Sequence, residues 1–105
     1  MLRGDVYELR PPRSSGHAQQ GRRYGVVVQS DAFLPRTVVI VAPTSRIARA
    51  ASFRPEVEFD GEVTRVLVEQ LSAVDTGRLG AHVGHLTREQ LWGVDESLRV
   101  VLALR

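Results

Sequence analysis

The chain has 105 residues, 43% of them hydrophobic and 25% charged. That supports one hydrophobic core, is too short for two, and excludes a compositionally disordered chain. No apolar run reaches the roughly 18 residues of a membrane span, MLRGDVYELR at the start lacks the apolar segment of a secretory signal, and the absence of cysteine removes a disulfide framework or thiolate zinc site. A soluble, cytoplasmic, single-domain protein over residues 1–105 is expected. The net charge of +2 is unevenly spread. Residues 1–55 carry nine Arg against Asp5, Glu8 and Asp31, and residues 56–105 carry five Arg against nine acids. All basic residues are Arg, whose planar fork of donors suits phosphate and stacks on bases. An Arg-rich half fits a polyanion partner, and it equally fits an ordinary charged surface.

In chain order, DVYEL (5–9) alternates apolar and polar, the period of a half-buried strand. RPPRSSGHAQQGRR (10–23) reads as a long exposed loop. A loop of that length inside a small domain is often functional, and this one is expected to be mobile without a ligand. YGVVVQS (24–30) is a strand, SDAFLPR a connection in which Pro35 bars a central strand, and TVVIVAP (37–43) a strand buried on both faces. TSRIARAAS (44–52) is a second Arg-bearing connection. EVEF (56–59) and VTRVLVEQL (63–71) alternate on either side of Asp60-Gly61, a strong hairpin signal. TGRLGAHVGHL (76–86) contains a turn and a final short strand. Thr87 with Gln90 forms a capping box, and Leu91, Val94, Leu98 and Val101 make one apolar face of a C-terminal helix that Gly93 weakens. The expected fold is mainly β with a C-terminal helix (α+β), a mostly antiparallel sheet of five to seven strands.

Two polar clusters end buried strands: Gly21-Arg22-Arg23 entering the second, and Pro43-Thr44-Ser45-Arg46 leaving the third. If these strands pair antiparallel, Arg23 and Thr44 lie at one edge of the sheet. A guanidinium facing a hydroxyl suits phosphate chemistry, and cleaving RNA without a metal would mean driving the 2′-hydroxyl onto the adjacent phosphate. Fixed donors aimed at the charge that builds there lower the barrier, each by roughly 3–4 kcal/mol. Arg stays protonated, so Arg23 is assigned electrostatic stabilisation, with proton delivery to the leaving 5′-oxygen as a further duty. The base is unassigned. His82 and His85, three apart in a strand, are expected on opposite faces and not as a metal pair. Trp92 is expected to pack, Tyr24 to stack on a base or join the core, and Glu69 to be structural.

RGDVYEL (3–9), GRRYGVVVQSD (21–31), VIVAPTSRI (39–47), VLVEQLSAVD (66–75) and HVGHLTREQLWGVDESLRVVLAL (82–104) resemble, in order and spacing, five blocks of the MazF/PemK family of toxin endoribonucleases. The resemblance implies an SH3-like barrel of the CcdB/PemK toxin type and a homodimer. It implies metal-independent cleavage of single-stranded mRNA at short motifs to 2′,3′-cyclic phosphate and 5′-hydroxyl ends, no cofactor, and neutralisation by a MazE-like antitoxin. Arg23 and Thr44 match the family's catalytic pair. Arg13, His17, Arg22, Tyr24, Ser45, Arg46 and Gln70 are the expected RNA contacts. The chain departs from the pattern at Tyr24, where the family has proline, at His17-Ala18-Gln19-Gln20, where an acid is common, and at Ser30 in place of Asn. These departures keep open a toxin-fold module that binds RNA or antitoxin without cutting. A CcdB-like gyrase poison is disfavoured, because the chain ends in LALR and Trp92-Gly93 lies inside the helix.

Overall fold

The computed structural model describes residues 1–10 and 23–105. The expectations for Arg13, His17, Ala18 and Arg22, and for mobility of their loop, lie outside the described residues. Seven strands form one curled antiparallel sheet: β1 (Asp5–Leu9), β2 (Tyr24–Val27), β3 (Val38–Ser45), β4 (Glu56–Phe59), β5 (Glu62–Val66), β6 (Ser72–Asp75) and β7 (Leu79–His85). One helix, α1 (Arg88–Leu102), follows. The sheet runs β4-β5-β3-β2-β1-β7, with β6 also paired to β3.

Strand β3 organises the sheet. Along one edge it pairs with β2, Gly25 opposite Pro43 and Val27 opposite Val41. Along the other edge its first half pairs with β6, Val38–Val41 against Asp75–Ser72. Its end pairs with β5, Thr44 opposite Val66 and Ser45 opposite Arg65. Pro43 sits where the partner changes. Lacking an N–H, it is tolerated there, and its carbonyl accepts from Leu67 N at 2.8 Å. The strand therefore runs two residues beyond the 37–43 read from sequence, so that Thr44 and Ser45 belong to the sheet rather than to a connection.

Period-two burial splits the core in two. Val27, Val39, Val41 and Val74 pack on one side. Val6, Val26, Ala42, Val57, Phe59, Val66, Val68, Leu86 and Val94 pack on the other. Helix α1 covers this second cluster with Val94 fully buried and Leu91, Leu98 and Val101 against it, the face its spacing predicts. The Thr87–Gln90 capping box is complete, with Oγ1 accepting from Gln90 N at 3.1 Å and Gln90 Oε1 from Thr87 N at 2.8 Å. The β4–β5 turn places Asp60 at φ 51° and Gly61 at φ 75°, the left-handed pair a tight hairpin demands.

Further readings need correction. Strand β3 is not buried on both faces along its length, because Val38 and Ile40 are exposed where only one face of its first half meets the core. The apolar stretch 67–71 is not strand, because Val68–Gln70 turns as a 3₁₀ helix. Residues 72–75, unassigned in the sequence, are strand β6. Trp92 does not pack: it is 59% exposed, on the opposite side of α1 from the buried Val94.

Candidate functional site

The ends of β2 and β3 come together at one corner of the sheet. Gly25 faces Pro43 in the last pair of that ladder, so Tyr24, the first residue of β2, and Thr44, near the end of β3, lie one residue beyond it on their strands, with Arg23 preceding β2. Arg23 is half-buried, and its carbonyl accepts from Leu9 N at 2.8 Å. Its backbone is thereby held against β1, and a side chain mounted on such a frame is aimed better than one on a free loop.

Thr44 is 5% exposed, a buried hydroxyl at the end of a central strand. With Tyr24, Ser45 and Arg46 it lines a cavity of about 30 Å³. Four residues singled out from the sequence therefore share one wall, and β4 and β5 supply Phe59, Glu62 and Thr64 for the other. Arg23 and Gln70 do not line this cavity. Tyr24 leans edge-on against Phe59, ring centroids 5.1 Å apart, which fixes one side of the pocket. The tyrosine thus serves packing with its ring and the cavity with its edge. At the rim Arg46 Nη1 meets Glu62 Oε2 at 3.1 Å, both side chains about half exposed. Ser45 Oγ accepts from Ile47 N at 3.3 Å and so shapes the turn leaving β3.

Behind this corner Glu69 takes two contacts from Arg54, at 2.9 Å from Nε and 2.7 Å from Nη2. Arg54 also donates to Arg49 O at 3.1 Å, so the pair ties the β3–β4 connection to the 3₁₀ turn at 68–70. Gln70, next in the chain, points into solvent. Phe59, Glu62 and Thr64 were not singled out from the sequence. The alternation of Glu62, Thr64 and Val66 places all three on one face of β5, but only the pairing of β5 with β3 shows that this face meets Thr44.

A second polar cluster lies at the far edge. Asp5, opposite His85 in the β1–β7 ladder, accepts from His82 Nε2 at 3.1 Å and contacts His85 Nδ1 at 2.8 Å through one oxygen. Its other oxygen accepts from Leu2 N at 2.8 Å. The histidines therefore share a face, against the expectation of opposite faces. The reason is a bulge: Val6 pairs with Gly84 but Tyr7 with His82, so β7 carries an extra residue and its alternation resets. Burial pushes the Asp5 carboxyl up, but the bonds from His85, Leu2 N–H and His82, with the attraction of His82, outweigh it and hold the pKa below the ordinary value. Burial and the Asp5 charge raise that of Tyr7, whose ring meets His82 edge-on. Gly4, at φ 96°, closes the cluster, because a Cβ there would come within 2.9 Å of Leu91 Cδ1 and 3.2 Å of His85 Cε1.

Comparison with known proteins converges on one group. The sequence profile described as a PemK-like, MazF-like toxin of type II toxin-antitoxin systems matches residues 2–102. A Mycobacterium tuberculosis protein named as a candidate toxin, Rv3098A, is 40% identical over 99% of both chains. The endoribonuclease EndoA of Bacillus subtilis is 34% identical over 97% of this chain and 94% of its own. Among solved structures, a MazE–MazF complex from Deinococcus radiodurans superposes with a TM-score of 0.82 at 20% identity, covering 100% of this chain and 97% of that one. A mycobacterial endoribonuclease solved with its cognate antitoxin gives the same TM-score and the same coverage at 17% identity. The curled sheet and its single C-terminal helix are the fold those structures share. This chain belongs to the PemK-like, MazF-like toxin family of type II toxin-antitoxin systems.

Proposed function

We propose that this protein is an endoribonuclease toxin that cleaves single-stranded mRNA at short motifs, without a metal, to 2′,3′-cyclic phosphate and 5′-hydroxyl ends. The observation that supports the reading is the pairing of β2 with β3, which joins the strand entered from Arg23 to the strand that ends in the buried Thr44 and Ser45. The 34% identity with the Bacillus subtilis endoribonuclease over 97% of this chain supports it.

In this mechanism the substrate 2′-oxygen bonds to phosphorus, the bond from phosphorus to the 5′-oxygen breaks, the 2′-proton leaves to a base, and the 5′-oxygen takes one up. Negative charge grows on the non-bridging oxygens. Arg23 offers two parallel donors to it and Thr44 a third, and donors fixed before the reaction lose nothing to reorganisation.

The reading carries three partners and a place: RNA, an antitoxin of the MazE kind, a second copy of the chain, and the cytoplasm. In favour of a homodimer, the outer face of β3 leaves Val38 and Ile40 exposed, and α1 leaves Trp92, Val100 and Leu102 exposed. Among the described residues no helix is long and apolar enough to cross a membrane. The test is gel cleavage of a long mixed-sequence RNA in EDTA by wild type, Arg23→Ala and Thr44→Ala. Discrete fragments with 5′-hydroxyl ends, lost in both variants, are expected. Intact RNA with folded wild type would move the assignment to a binding module.

A further inference from the structure

The cavity beside Thr44 contains a hydroxyl that the proposed cleavage chemistry does not use. Thr64 is 4% exposed and lines the cavity, and its Oγ1 has no hydrogen-bond partner among the described residues. Nearly all buried side-chain hydroxyls are bonded, so an unpaired one on a residue that lines a pocket points to a water or ligand group that completes the set once the side chain turns toward it. Thr64 faces Val57 in the β4–β5 ladder, and a valine at 64 would fill the same volume without the unmet polar atom. Folding alone favours the valine.

We propose that Thr64 and Glu62 form a subsite that reads the edge of one nucleobase next to the cleaved phosphate, preferring a base with an exocyclic amine. The inference rests on the ribonuclease reading for the identity of its ligand. The volume of about 30 Å³ is too small for a base and right for one exocyclic group or one water. Glu62, held by Arg46 at 3.1 Å, is a pure acceptor and suits an amine. The Thr64 hydroxyl both donates and accepts, so it can turn its proton toward the ring nitrogen beside that amine. Cytosine and adenine carry this pair of groups on their Watson–Crick edges, where guanine has a ring N–H beside its amine. Uracil presents a carbonyl oxygen and a ring N–H, which meets the Glu62 carboxylate acceptor to acceptor.

The experiment measures binding of uncleavable 2′-O-methyl heptamers of cytidine, adenosine and uridine to wild type, Thr64→Val and Thr64→Ser. The expected result is roughly tenfold tighter binding of cytidine or adenosine heptamers than of uridine, the order of one good polar base contact. Thr64→Val should lose the preference with no fall in melting temperature, and Thr64→Ser should keep it. Equal binding of all three heptamers by wild type, or an unchanged preference in Thr64→Val, would overturn the proposal. Mixed-sequence RNA incubated in parallel separates the two readings. A preference sensitive to Thr64→Val without cleavage leaves the subsite standing and removes the ribonuclease, whereas cleavage without a preference does the reverse.

Discussion

The two polar clusters of this small sheet are finished in opposite ways. At the β1–β7 edge, Asp5 is saturated, with both its oxygens in contact with Leu2, His82 and His85. At the β3–β5 corner, Thr44 and Thr64 are as buried as Asp5, yet Thr64 Oγ1 is left without a partner among the described residues, and the charges there are a half-exposed pair at the rim. A saturated buried group stabilises the fold, since removing one partner strands the others. An unsaturated one weakens the fold and calls for an explanation of its own. The contrast separates a saturated edge that holds the sheet together from the corner where the proposed site lies.

The sharpest way to break that contrast is to substitute in each cluster and read activity and stability side by side. Arg23→Ala should lower RNA cleavage by about 10²–10³-fold while its urea midpoint stays near that of wild type. Thr44→Ser should keep most of the rate that Thr44→Ala loses. If the loss of rate instead tracks a loss of stability, the corner is merely structural.

Asp5→Asn should act the other way, costing about 1–3 kcal/mol of unfolding free energy with cleavage retained well below the melting temperature. Its pH signature has a definite sign. Because the folded-state pKa of Asp5 is depressed, its contribution is complete above the ordinary carboxylate value and lost as the pH falls through the lower folded one. Wild type should therefore lose stability more steeply than Asp5→Asn on acidification, and parallel curves would refute the assignment.

Outside both clusters, Thr87→Ala removes the capping-box acceptor of α1 and should cost about 1 kcal/mol, measured by thermal unfolding, with no change in cleavage. The smallest effect is expected at the rim. Glu62→Gln breaks a half-exposed ion pair with Arg46 and should shift stability by less than about 0.5 kcal/mol. A larger shift would mean that the rim is structural too.

How much of this was legible in the sequence depends on how local the determining physics is. Helix α1 was readable because its cap and apolar spacing lie within a few residues of one another, and the β4–β5 hairpin because Asp60-Gly61 carries its own backbone preference. Strand β6 was not, since Ser72–Asp75 has a single buried apolar residue, Val74, and becomes a strand by pairing with β3. Pro43 ended the apolar run read as a strand, and as proline it lacks a donor. Only the change of partner from β6 to β5 makes that lack harmless.

By itself the sequence determined the elements with strong local signals and the apolar face of the helix. The order and spacing of its blocks carried the family resemblance, and it singled out Arg23 and Thr44. The tertiary structure alone decided which strand edges meet. The β1–β7 bulge turned two histidines onto one aspartate, and the β3–β5 pairing brought Glu62 and Thr64 to Thr44. Both depend on register between segments far apart in the chain, and a one-residue shift of register reverses which face a side chain occupies.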